Sequence, residues 1–187
     1  MLFQIYLGVF FSISLVSASP VLQARDTCGE SESLVCYGPN HDMGSQNLDI
    51  RDIKYVAKAL RNHFRFGGRN TSTVALRWTA PADDDSDCAE WTLPVPYSQT
   101  VSVKAKHVNP LLESWFLYED IAYAIDGGED ASEAEKARSL LSCGSNGGQI
   151  GLGVNKRGPV QHTSDLDADD KGVIIKLVKN PQADSWP

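Results

Sequence analysis

The chain has 187 residues, 42% of them hydrophobic, and carries 24 acidic against 17 basic side chains for a formal net charge of -7. The apolar fraction is enough for a true core, and the acidic balance excludes nucleic acid as the expected partner. The lack of repeats and low-complexity tracts argues against a wall-associated structural protein.

Met1 to Ala18 is an apolar run without a charged side chain that ends in the small-residue triplet Val16-Ser17-Ala18. It is too short for a comfortable span and lacks a basic stop-transfer flank, so it reads as a signal peptide over residues 1–18. Secretion, a mature start near Ser19 and no integral membrane span are the expectations. In an oxidising compartment Cys28, Cys36, Cys88 and Cys143 are expected to form two disulfides, with three pairings open. The cysteine spacing suits neither a structural zinc site nor a nucleophilic thiolate, and no metal or cofactor is expected.

Residues 19–46, rich in Ser, Glu, Asn and Gly, read as an irregular arm, with Leu34 to Tyr37 as a possible opening strand. One domain is expected over 47–180, followed by a flexible tail, 181–187. From Asp49 the pattern is helical: Ile50, Ile53, Ala57, Leu60 and Phe64 recur three or four apart, behind a cap at Asn47 or Asp49 and ahead of Gly67-Gly68. Period-two alternation follows in Val74, Leu76 and Trp78, then in Trp91, Leu93 and Val95 beyond an acidic turn, which predicts a hairpin. Val101, Val103 and Ala105 extend it to a three-stranded meander. A second helix is expected after Pro110, carrying Leu117, Ile121, Ala124 and Ile125 and stopping at Gly127-Gly128. A third starts at a capping box, Ser132 with Glu135, and runs to Leu141. Ile150, Leu152 and Val154 form a short glycine-punctuated strand, and Val173 to Val178 is the most β-prone segment, expected beside it. The fold class is therefore α+β: a mostly antiparallel sheet covered on one face by two or three helices and stabilised by disulfides.

The helix with Ile50, Ile53 and Val56, the later Trp78, the run Asp87-Cys88-Ala89-Glu90-Trp91, the helix led by Tyr118-Glu119-Asp120, and Cys143 before a glycine-rich strand together resemble small secreted fungal proteins. The pattern, from Cys36 to Val178, is similar to the extracellular-protein-2 effectors with their necrosis-inducing-factor domain, grouped with killer-toxin-like α/β sandwiches. The resemblance implies a non-enzymatic virulence or toxin-like protein acting at a host or competitor cell, and carries over no catalytic residue.

No nucleophile elbow, zinc-protease, phosphate-loop or dinucleotide motif occurs. His41, His63, His107 and His162 form no ligand pair and read as surface or hydrogen-bonded side chains. Glu119 and Asp120 sit beside aromatics, as a glycosidase pair could, but adjacent helical positions diverge by about 100°. Asp165, Asp167, Asp169 and Asp170 imitate a calcium loop yet place Asp170 and Lys176 where glycine and glutamate are required. Asn70-Thr71-Ser72 is the only glycosylation sequon and is expected on a loop.

The first helix spaces Arg51, Lys54, Lys58, Arg61 and Arg65 three or four apart, opposite its apolar stripe. Such a ridge could meet a host or competitor protein, a wall polymer or an anionic surface, or be merely the wet side of an amphipathic helix. The reading is a secreted, effector- or toxin-like protein that binds a surface target through the basic helix or its Trp-bearing loops. The alternative is a small secreted hydrolase or carbohydrate-active protein, marked by convergent carboxylates or a Ser/His pair in a cleft.

Overall fold

A computed structural model describes residues 28–66, 77–80, 90–109, 112, 114–153 and 171–183, without the side chains of 63–66 and 77–80. In chain order the elements are β1 (Val35–Cys36), α1 (Ile50–Phe66), β2 (Arg77–Ala80), β3 (Glu90–Thr92), β4 (Val101–His107), β5 (Ser114–Leu117), α2 (Tyr118–Asp126), α3 (Glu133–Lys136), a 3-10 segment (Leu140–Asn146), β6 (Gly148–Gly151) and β7 (Val173–Lys179). The protein is α+β. Five strands form one antiparallel sheet in the order β1-β6-β7-β4-β3, and β2 with β5 forms a separate antiparallel pair.

The centre of the sheet is β4 on β7, in register from Val101 opposite Lys179 to His107 opposite Val173. Alternation sends Val101, Val103 and Ala105 of β4 and Val173, Ile175 and Leu177 of β7 to one face. There they join Ile53, Val56, Ala57 and Leu60 of α1 and Ile121, Ala122 and Ile125 of α2 in one buried cluster. Each large aliphatic side chain so buried contributes about 1.5–3 kcal/mol over an exposed one.

The opposite face of the sheet is mainly polar, with Ser102, Lys104, Lys106, Gln149 and Lys176 beside buried Ile174 and Val178, and the segment before β1 lies on it. The Gly151 amide donates to the Glu32 carbonyl and the Cys28 amide to the Val108 carbonyl. The Gln149 side-chain amide donates to the Ser31 carbonyl at 3.2 Å. Glycine is required at 151 because a Cβ there would lie 2.8 Å from the Glu32 oxygen. The glycines before β7 thus admit close backbone approach.

Local signals set several boundaries. Asp49 caps α1, its carboxylate accepting the Arg51 amide at 2.8 Å. Gly127 ends α2 in the left-handed region at φ 86°, its amide bonded to the Tyr123 carbonyl. The capping box at Ser132 and Glu135 is formed, with the Glu135 carboxylate 2.9 Å from the Ser132 amide.

Three expectations need correction. The predicted hairpin does not form: β2 pairs with β5, Trp78 opposite Phe116, while β3 pairs with β4, Trp91 opposite Ala105. The second helix starts at Tyr118, because Ser114–Leu117 is a fully buried strand and Asp120 accepts the Leu117 amide at 2.8 Å, fixing the helix start there. The third helix stops at Lys136 and the chain resumes at Leu140 as the 3-10 segment, kinked at Gly144.

Cys36 and Cys143 are bridged, with Cα atoms 5.1 Å apart, and tie β1 to the 3-10 segment. Cys28 is also disulfide-bonded. Cys88, the signal segment 1–18, the sequon at Asn70 and the acidic run at Asp165 lie outside the described residues.

Candidate contact surface on the first helix

The α1 face opposite its buried stripe centres on Arg51, Tyr55, Lys58 and Asn62, which recur three or four apart and are exposed. Lys54 flanks them and is also exposed. The Arg51 guanidinium is bonded to the Asp49 carboxylate at 2.6 Å, and these hydrogen bonds hold the Asp49 carboxyl below its ordinary value. Lys54 and Lys58 have no ion-pair partner among the described residues.

Arg61 does not belong to this surface. Its side chain is 7% exposed and its guanidinium is bonded in two places to Asp126, at 2.9 Å through Nη1 and through Nη2 to the second oxygen. Glu119 approaches from the same helix, 3.9 Å from Nε. On the helix wheel Arg61 sits at the edge of the exposed arc, and the acids of α2 draw it inward. The Arg65 side chain lies outside the described residues.

One end of the surface meets the turn between β3 and β4. The Tyr55 hydroxyl donates to the Pro96 carbonyl at 3.1 Å. Asp52 accepts the Thr100 amide at 3.1 Å and its hydroxyl at 2.5 Å. The Asn180 side-chain amide donates to the Gln99 carbonyl at 2.9 Å. Held in this way, Tyr97 and Gln99 adopt left-handed φ values of 59° and 42°. Such residues cost about 1–3 kcal/mol each unless glycine. Tyr97 is 75% exposed, so its ring recovers nothing by burial.

No family model, curated protein or solved structure matches this chain.

The other sequence-level candidates are placed as follows. Glu119 and Asp120 diverge, one toward Arg61 and the other onto the Leu117 amide. Trp115 is buried in β5, and Trp91 packs on the core from β3, so these tryptophans are in strands and not in loops. His41 accepts the Met43 amide and lies against the Tyr37 ring.

Two clusters escaped sequence reasoning. On the polar face, Glu30 binds Lys106 at 3.0 Å and Lys176 at 2.8 Å, while Glu90 binds Lys104 at 3.0 Å and Lys176 at 2.9 Å. Burial opposes the charged form of both carboxyls, but hydrogen bonds from the lysines outweigh it and lower both from the ordinary value. Burial likewise opposes the Lys176 charge, and the two glutamates hold it above its ordinary value. Burial, then the nearby Glu30 and Glu90, raises the Tyr37 hydroxyl. Charged residues alternating with apolar ones in β4 were the available signal, but the partner Glu30 is far away in sequence.

The second cluster is Ser114 with His107, 3.4 Å apart. The Ser114 hydroxyl donates to the Lys171 carbonyl at 2.5 Å, and Ser114 is fully buried. Burial lowers the His107 pKa, only partly offset by a backbone hydrogen bond at Leu112. The geometry joins the β4–β5 connection to the start of β7 and leaves the hydroxyl directed at a backbone carbonyl. Among the described residues no group of three His, Cys, Asp or Glu could hold a metal, and no helix is long and apolar enough to cross a membrane.

Proposed function

We propose that this protein is a secreted effector- or toxin-like protein of killer-toxin-like α/β sandwich type, which acts without catalysis by binding a surface target on a host or competitor cell. The observation that carries the reading is the contrast among the cations. Lys104, Lys106, Lys176 and Arg61 are held in internal ion pairs, whereas Lys54 and Lys58 stand exposed on α1 beside Arg51. With Ile53, Val56, Ala57 and Leu60 buried in the core, α1 is a firm support, and exposed charges on it steer association and fix register. The fungal-effector pattern of Cys, Trp and helix positions supports the same reading.

The test uses the protein recovered from the medium of an expressing cell. Amino-terminal sequencing is expected to begin near Ser19, and retention of residues 1–18 would remove secretion from the proposal. Infiltrated into candidate host tissue, the wild-type protein is expected to act and the triple variant Arg51→Glu, Lys54→Glu, Lys58→Glu to lose activity with an unchanged melting temperature. Equal activity of the two proteins would dismiss the helix as the contact site. Turnover in a fluorogenic hydrolase panel would replace the reading with an enzymatic one.

A further inference from the structure

Resting on the contact reading of α1, we propose that this surface, extended by the Tyr97 turn, recognises a carboxylate-bearing polysaccharide, a polyuronate. Tyr55 lies four residues after Arg51 and three before Lys58, so its half-exposed ring shares a helix face with both cations. Its hydroxyl bond to Pro96 joins that face to the turn that carries Tyr97. Tyr97 is held in a left-handed conformation by contacts to Asp52, Tyr55 and Asn180 that all involve its neighbours, and its ring is three-quarters exposed. The two exposed phenols thus sit on α1 and on the turn bonded to it, and α1 carries ammonium groups without ion-pair partners among the described residues.

That combination selects the partner. A pyranose ring offers an apolar C–H face to an aromatic ring, and hydroxyls to its polar tip. A uronate adds one carboxylate per sugar, which suits cations repeated along a helix. A bilayer would need a broad apolar face to insert, and among the described aliphatic side chains of α1 Ile53, Val56 and Leu60 are buried in the core, which leaves Ile50 alone exposed. Acidic peptide motifs are recognised by clustered arginines, and the one described guanidinium on this face, that of Arg51, is already paired with Asp49.

The experiment is titration calorimetry of the secreted full chain with polygalacturonate, its methyl ester, phosphatidylserine vesicles and polyglutamate. Polygalacturonate is expected to bind and its methyl ester to bind at least about tenfold more weakly, since esterification removes the charge the lysines read. Lys54→Glu with Lys58→Glu is expected to weaken polygalacturonate by about tenfold or more, and Tyr97→Ala by about fivefold, both with unchanged melting temperature. Absence of polygalacturonate binding, or wild-type affinity in Tyr97→Ala, overturns the polyuronate. If the double charge reversal then still abolishes binding to vesicles or polyglutamate, the contact surface stands with a different partner. If it changes nothing in any arm, the contact surface falls as well.

Discussion

Arg61 and Lys58 are three residues apart on one helix, and their environments are opposite. Arg61→Ala leaves Asp126 and Glu119 without a guanidinium in a mostly dry site, and is expected to cost about 3–5 kcal/mol. Lys58→Ala is expected to stay within about 0.5 kcal/mol, as exposed substitutions do. Urea denaturation of the two variants checks the contrast, and equal midpoints would mean that the Arg61 pairs contribute no stability. Tyr97 allows a second residue-level separation. Tyr97→Gly removes left-handed strain, so stability is expected to hold or to rise by up to about 1 kcal/mol while polygalacturonate affinity falls. A melting temperature lowered by several degrees would show that the Tyr97 ring is structural. Arg61 also marks what the heptad-like spacing of cations conceals: the stripe places five charges near one arc, but only the position of α2 reveals which of them is internal.

At the scale of elements, the segment before β1 acts as a strap over the polar side of the sheet. Its Glu30 stands between Lys106 and Lys176, whose strands are adjacent, and the in-register lysines Lys104 and Lys176 would repel without the intervening Glu90. Glu30→Gln is expected to cost about 1.5–3 kcal/mol, the range for hydrogen bonds to charged groups, and to speed amide exchange at Gly151, whose amide is bonded to the strap. Wild-type exchange at Gly151 in that variant would mean that the strap is held by its backbone bonds alone. Element type was legible wherever the cause was local: the Ser132–Glu135 box, the Gly127 stop, the alternating β4 and the β-branched β7. Pairing was not. Trp78 and Trp91 alternate alike and flank an acidic turn, so a hairpin follows from the sequence, yet β2 joins β5, whose Ser114–Leu117 run lies beside helical periodicity and reads as part of the next helix.

For the whole molecule, the ion network sets the pH limits. Glu30 and Glu90 have folded pKa values below their unfolded ones, so their contribution is fully present above the unfolded value of about 4.5 and is lost as pH falls through the lowered values. His107 is lowered too, so stability also declines as pH drops below about 6.5 toward its folded value. Lys176 and Tyr37 are raised, so their contributions are present below about pH 10 and vanish as pH climbs through the folded values. Melting temperature is expected to form a plateau with an acid and an alkaline limb, and the acid limb of Glu30→Gln should be shallower. A limb of unchanged slope in that variant would assign acid sensitivity elsewhere. The Cys36–Cys143 bridge closes a separation of 107 residues. Cys143→Ser is expected to cost about 3–5 kcal/mol by the chain-entropy account. Non-reducing peptide mapping is expected to pair Cys36 with Cys143 and Cys28 with Cys88, and any other pairing would refute the assignment.

By itself the sequence determined which segments are helix and which are strand where caps, glycine stops and periodicity act within a turn or two, and it determined the α+β class that follows from their order. Only the tertiary structure decided that β2 leaves the main sheet, that Glu30 closes over Lys106 and Lys176, and that Arg61 turns inward while Lys54 and Lys58 remain in water. The reason is range. Local signals are energies between neighbours in the chain, whereas strand partners and buried charges are chosen by groups far apart in sequence, whose attraction exists only once the sheet and the two long helices have brought them together.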